Sequence, residues 1–355
     1  MIITHLEIDN LYGFSETKID FSFKRKNLKS NIPNEYLKER PKFNFKRICI
    51  ISGTNASGKT SLGKVICGIE NFIARKTVVK YLDQAICNKN KPAVLAIEFV
   101  TPSNNKLHSL RLSFEENIPV IKKLNYVSID IGVNDSCSSA RKKIENLRNT
   151  PNKKRKVTNG NYYINSEEVG IIQAIDEFSD ITFSDLSWMF MFSENSQSED
   201  KANSIHNISE NLIYKILSSF DSSIKSVESV IPQSEAKKTR KDKQKSKSNT
   251  ENIAGYIIKF HNGDNILINT SGEITGEKEQ ANRFSKGTFD AIKLTNFIGR
   301  VITDGKLQES STHFLDEQMA YSHSHLEQHI LNVIIEKLSP TAQFFYTTHN
   351  YDILE

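Results

Sequence analysis

The chain has 355 residues, 37% hydrophobic and 25% charged, a balance suited to a soluble globular protein with a substantial core, and no stretch approaches the ~20 apolar residues of a membrane span. The net charge of +5 is local: residues 141–156 carry eight basic and one acidic side chain and residues 237–247 seven and one, so the remainder is acidic by eight charges. Cys49, Cys67, Cys87 and Cys137 form no CxxC pair or Cys/His zinc spacing, and the opening MIITHLEIDNLYGF has no basic-then-apolar leader, which excludes a disulfide scaffold and points to reduced thiols in the cytoplasm.

In chain order, Ile2 to Ile8 alternates apolar and polar residues as an edge strand does. A turn at Leu11-Tyr12-Gly13-Phe14 and a second strand near Thr17–Phe23 follow. Residues 24–46 are polar and basic with two prolines, which predicts a surface loop. Arg47-Ile48-Cys49-Ile50-Ile51 suits a buried strand. Leu62, Val65, Ile66, Ile69, Phe72 and Ile73 then recur at helical spacing, so a helix begins near Gly58. AVLAIEFV and LHSLRLSF flank the turn-rich TPSNNK and predict a hairpin within an antiparallel unit over 93–131. An apolar run spans Leu186–Phe192, an amphipathic helix is predicted over 206–230, and the lysine-rich 234–252 reads as a solvated loop. A second hairpin turns at His261-Asn262-Gly263-Asp264. From Ser285 the order is helix, strand (Thr312–Leu315), helix (Ser324–Leu338), strand (Gln343–Thr347), an alternation that implies parallel pairing in an α/β core.

Four segments carry chemistry. Gly53-Thr54-Asn55-Ala56-Ser57-Gly58-Lys59-Thr60 fits G-x-x-x-x-G-K-[ST], between a predicted strand and a predicted helix. Its glycines let backbone N–H groups curl around phosphate oxygens, Lys59 can reach the β- and γ-phosphates, and the Thr60 hydroxyl can ligate Mg²⁺. The strand Thr312-His313-Phe314-Leu315 delivers Asp316-Glu317, one carboxylate to hold a metal and one to polarise water. Ser285, beside Lys286 and Gly287 at a helix start, can serve as an ordinary N-cap or as a second anion site. His349 stands just past the end of the last strand, 33 residues after Asp316, which itself lies 31 residues after Ser285.

In this order and spacing the chain resembles the ABC-type ATPases of the SMC, RecF and OLD group, over roughly residues 1–75 and 255–355. The opening IDNLYGFSETKIDFS is similar to that group's N-terminus as well. The resemblance implies an ABC-type P-loop ATPase head, α/β with a mixed sheet, an antiparallel β subdomain and a helical insertion. It implies ATP and Mg²⁺ as ligands and assigns roles by motif. Gly53 to Thr60, with Ser61, becomes Walker A, Phe284–Thr288 the signature, His313–Glu317 Walker B, and His349 the switch histidine. Met319–His323 falls at the D-loop position, where MAYSHS departs from the usual small-residue pattern, and the signature has Phe284-Ser285 in place of Leu-Ser. Gln197 in FSENSQSED is the candidate glutamine-loop metal ligand, or else part of a solvated loop.

The expected division is 1–92 for the first part of the core, 93–135 for the antiparallel subdomain, 136–252 for a mostly helical insertion and 253–355 for the rest of the core. GTNASGKTSLGKVI and LDEQMAYSHSHLEQHIL look most similar to bacterial antiphage-defence ATPases such as those of Septu and retron systems. That implies a homodimer or higher even-numbered oligomer closed through an ATP sandwich, and an effector partner, a nuclease or toxin. The alternative is a RecF- or SMC-like ATPase of DNA repair or chromosome maintenance, although no segment between 76 and 255 keeps the heptads of a coiled-coil arm. The two basic stretches suit nucleic-acid phosphates or solvated loops equally.

Overall fold

The computed structural model describes residues 1–23, 32–78, 80–115, 120–150, 160–192, 196–198, 208–230, 254–270, 274–275, 286–319 and 324–354. They form two compact units. The first comprises Met1–Ser198, Gln308–Glu317 and Leu338–Leu354, and the second Glu199–Leu307 with Gln318–Lys337.

The first unit opens with β1 (Ile2–Asp9), β2 (Thr17–Asp20), β3 (Tyr36–Leu37), β4 (Arg40–Asn44) and β5 (Ile48–Ser52), then α1 (Lys59–Arg75) and α2 (Lys80–Asp83). There follow β6 (Ala93–Thr101), β7 (Lys106–Phe114), β8 (Ile121–Asp130), α3 (Cys137–Asn149) and β9 (Tyr163–Asn165). Next are α4 (Ser166–Val169), α5 (Ile171–Ser179), β10 (Ser187–Met191) and β11 (Ser196–Ser198). The second unit holds α6 (Glu210–Phe220), β12 (Ile224–Val230), β13 (Gly255–Phe260), β14 (Asn265–Asn269), α7 (Lys286–Leu307) and α8 (Ser324–Lys337). The last strands of the first unit are β15 (Ser311–Asp316) and β16 (Gln343–Thr348).

One sheet of the first unit runs β2-β1-β6-β7-β8-β9, antiparallel throughout. The other runs β11-β10-β15-β16-β5, in which the last four strands are mutually parallel. Every residue of β10, β15 and β16 is buried, as expected of parallel strands covered on both faces; β10 is mostly apolar, whereas β15 also buries the polar Ser311, Thr312, His313 and Asp316. A single apolar cluster takes Leu6, Ile97, Leu110 and Tyr126 from the antiparallel sheet, Ile66, Ile69 and Phe72 from α1, and Phe190, Phe314 and Phe345 from the parallel sheet. Alternation along the strands sends Ile2, Val100, Leu107 and Val127 to the opposite face, where they meet Cys137, Ala140 and Ile144 of α3 with Phe43 and Phe45.

In the second unit β12, β13 and β14 form an antiparallel sheet. The long α7 packs against α6 and α8, burying Ala291, Leu294, Phe297, Ile298 and Val301. Arg300 and Asp304 form a 2.9 Å ion pair one turn apart, both almost wholly buried.

Four expectations change. The loop expected over 24–46 contains β3 and β4, because Phe43 and Phe45 are core residues. The helix expected over 206–230 stops at Phe220. Asp221 leaves helical geometry (φ −140°, ψ 99°), and its carboxylate accepts from Ser223 N and Thr288 Oγ1. Ile224 and Val227, which mimic helical spacing, instead lie on β12 paired with β13. The antiparallel unit expected at 93–135 continues across β6 onto β1. Finally, the stretch 136–252, expected as a mostly helical insertion, supplies β10 to the parallel sheet beside β15. No helix among the described residues is long and apolar enough to cross a membrane.

Candidate nucleotide site

The loop between β5 and α1 sits at the carboxyl end of the parallel sheet, the usual ligand position in open α/β sheets. Thr54, Asn55, Ala56 and Ser57 are exposed, and Ser61 lies in the first turn of α1. Ala56 has φ 62° and Gly58 φ 93°. A side chain at Gly58 would pay the left-handed penalty and also press on the Phe14 ring at 3.3 Å. No side chain caps the start of α1, so its first backbone N–H groups face the loop, the arrangement that suits an anion.

Lys59 is buried, and its ammonium folds back over its own loop. It donates to the carbonyls of Gly53 (2.8 Å) and Thr54 (3.0 Å) and pairs with Glu317 Oε1 at 3.2 Å. Thr60 Oγ1 donates to Asp316 Oδ2 at 2.7 Å. Asp316 ends β15 and is 1% exposed. Burial raises its carboxyl pKa, and the hydrogen bonds from Thr347 and Thr60 only partly counter that.

Glu317 comes next, with φ 51°, a left-handed conformation unusual for this residue. Its N–H is shared between the Thr347 carbonyl (3.3 Å) and Thr347 Oγ1 (3.1 Å). The turn aims its carboxylate back at Lys59 and at His349 Nε2, 3.0 Å away. His349 Nδ1 is 2.8 Å from the Gly53 carbonyl oxygen, so that nitrogen carries the hydrogen there. The 3.3 Å approach of Lys59 Nζ to the same nitrogen sets donor against donor and is a contact without a hydrogen bond.

The structure therefore brings Gly53, Lys59, Thr60, Asp316, Glu317 and His349 together from three separated segments. Gln197 lies on β11 opposite Phe190 of β10, at the far edge of the sheet from β5, and its side chain is outside the described residues. Ser285 and Ala320–His323 of the D-loop position lie outside them too, and Lys286 and Gly287 are described only as the start of α7. Thr347, overlooked in the sequence, joins Asp316 to Glu317. The clue was available, since Thr347 stands in the run Tyr346-Thr347-Thr348-His349 on a strand predicted to pair beside Asp316.

Among the described residues no three of His, Cys, Asp and Glu gather as a metal site. The donors at hand are a hydroxyl and a buried carboxylate 2.7 Å apart. Such hard oxygens fit Mg²⁺, which takes one or two carboxylates and fills the rest of its sphere from phosphate and water. The helix α3 of the basic stretch is largely engaged within its own unit: Arg141 pairs with Glu98, Lys143 with Asp135, and Arg148 donates to Asn125 and Ser109. Lys142, also on α3, is exposed, and residues 151–159 and 231–253, which hold the remaining basic side chains of the two stretches, lie outside the described residues.

No family model and no curated protein matches the chain. Among solved structures it is similar to an SMC head bound to the C-terminal winged-helix domain of ScpA, at 12% identity and TM-score 0.44, covering 100% of this chain and 92% of that one. It is similar to the SMC head domain of Thermotoga maritima (11%, TM-score 0.37, covering 100% and 91%). It is also similar to the recombination mediator RecF of the RecFOR pathway (12%, TM-score 0.41, covering 99% and 94%). The chain is a mixed α/β protein with several sheets, and its structural neighbours are SMC heads and RecF.

Proposed function

We propose that this chain binds ATP with Mg²⁺ at Gly53–Ser61 and hydrolyses it as an ABC-type ATPase. The observation that carries the reading is the meeting of Lys59, Thr60, Asp316, Glu317 and His349 within hydrogen-bonding distance at the mouth of a glycine loop. In this reading Lys59 leaves its loop carbonyls for the β- and γ-phosphates, supplying a point charge. Thr60 and Asp316 would hold the metal, and the motif resemblance offers Gln197 as a further ligand. Bound Mg²⁺ would supply positive charge against the negative charge that develops on the phosphoryl oxygens. Glu317 orients the attacking water and takes its proton, while His349, fixed through Nδ1 on the Gly53 carbonyl, steadies that carboxylate through Nε2 in the form that carries a hydrogen on both ring nitrogens.

The finer reading follows the motif resemblance. Ser285, Lys286 and Gly287 of one copy complete the phosphate site of another in a two-fold pair, giving a homodimer or higher even-numbered oligomer. The dimer regulates a nuclease or toxin effector in an antiphage-defence complex, and nucleic acid contacts the lysine-rich stretches outside α3.

Thermal unfolding with and without Mg-ATP tests the core of the proposal. At a hundredfold excess over Kd, ATP should stabilise the wild-type chain by about 2.7 kcal/mol, and Lys59→Ala should remove most of that. An equal stabilisation of Lys59→Ala would refute the assignment of the loop.

A further inference from the structure

We infer that Thr347 is a positioning residue for the proposed hydrolysis, holding Asp316 and Glu317 in their working orientations through one hydroxyl; the inference rests on the ATPase reading above. β15 and β16 run parallel with Asp316 opposite Thr347. Register partners present their side chains to the same face, which places the hydroxyl beside the carboxylate. Thr347 Oγ1 donates its single hydrogen to Asp316 Oδ1 at 2.7 Å. Its lone pair accepts the Glu317 N–H at 3.1 Å. Because the hydrogen is committed to Asp316, the direction of both bonds is fixed.

Two consequences follow. With Oδ1 held by Thr347, it is Oδ2 that faces Thr60 Oγ1 and the phosphate loop. At the same time the chain is gripped where it leaves β15, at the residue with φ 51°, whose carboxylate meets Lys59 and His349. A valine fills the same volume but cannot donate to Asp316, and it leaves the Glu317 N–H only the longer bond to the main-chain carbonyl of residue 347. Thr347 is fully buried, and Thr348 beside it cannot substitute, because its hydroxyl accepts from Asn350 N after the strand.

The test compares Thr347→Val with Thr347→Ser in the full chain. In nucleotide-free protein, hydrogen exchange at the Glu317 amide should accelerate at least tenfold in Thr347→Val and stay near wild type in Thr347→Ser. In steady-state hydrolysis Thr347→Val should lower kcat at least tenfold with KM for ATP changed less than about threefold, while raising the Mg²⁺ concentration for half-maximal rate; Thr347→Ser should restore all three. Wild-type turnover and amide protection in Thr347→Val would overturn the positioning role and leave the ATPase reading standing, and so would a serine variant as impaired as valine. Absence of Mg-ATP binding and hydrolysis in the wild-type chain would overturn both.

Discussion

Gly63 is the position where the structure sets a helix rule against a packing constraint. It lies in the second turn of α1, where Gly→Ala normally stabilises by up to about 1 kcal/mol. Here an added Cβ would come 2.5 and 2.6 Å from Phe314 ring atoms and 2.9 Å from Phe192. The Phe314 ring cannot easily retreat, because it stacks on Phe190 at 5.7 Å and Phe345 at 6.0 Å. Overpacking of this kind costs about 1–3 kcal/mol or more, so Gly63→Ala should lose about 1–2 kcal/mol net. Phe314→Leu should be destabilising alone, yet relieve the clash, so the double variant should show at least about 1 kcal/mol of favourable coupling. Urea unfolding of the four proteins measures the cycle. A Gly63→Ala chain more stable than wild type, or a double variant whose losses simply add, would refute the argument that the helix lies against β15 at glycine distance.

Three further outcomes follow. Glu317→Gln should keep the Mg-ATP stabilisation, hydrolyse at least tenfold more slowly and sediment as an ATP-bound dimer; wild-type turnover would place the hydrolytic base elsewhere. Ser285→Arg should bind ATP yet neither close the dimer nor hydrolyse, and mixing it with Lys59→Ala should return activity, since one composite site then carries both lesions and the other none. His108 is buried with Nε2 on Thr101 and Nδ1 on Tyr126, and burial lowers its pKa to about 3. The unfolded chain therefore takes up a proton below about pH 6.5 that the folded chain refuses, and stability falls with pH. This removes about 2 kcal/mol between pH 7 and 5, and urea midpoints should fall less in His108→Gln; equal falls would exclude the histidine as the cause.

The sequence by itself determined what depends on local spacing. The glycine loop is recognised from eight consecutive residues, α1 from its apolar stripe, and β6 and β7 from alternation around a turn. The order of motifs predicted the parallel strands β15 and β16, which the structure contains. Where two periods coincide the local signal failed: Ile224 and Val227 fit a helix as well as a strand, and only pairing with β13 decided between them. Phe43 and Phe45 lay hidden in a polar segment because their partners, Val127 and Ile144, are some 80 to 100 residues away. The same holds for the site. Lys59, Asp316, Glu317 and His349 were legible as separate motif residues, but the bonds joining them were not. Thr347 stands beside Asp316 only because β15 and β16 align in one register and not a residue earlier or later. Register is fixed by what both faces of the sheet bury together, a property of the packed chain that no short window of sequence contains.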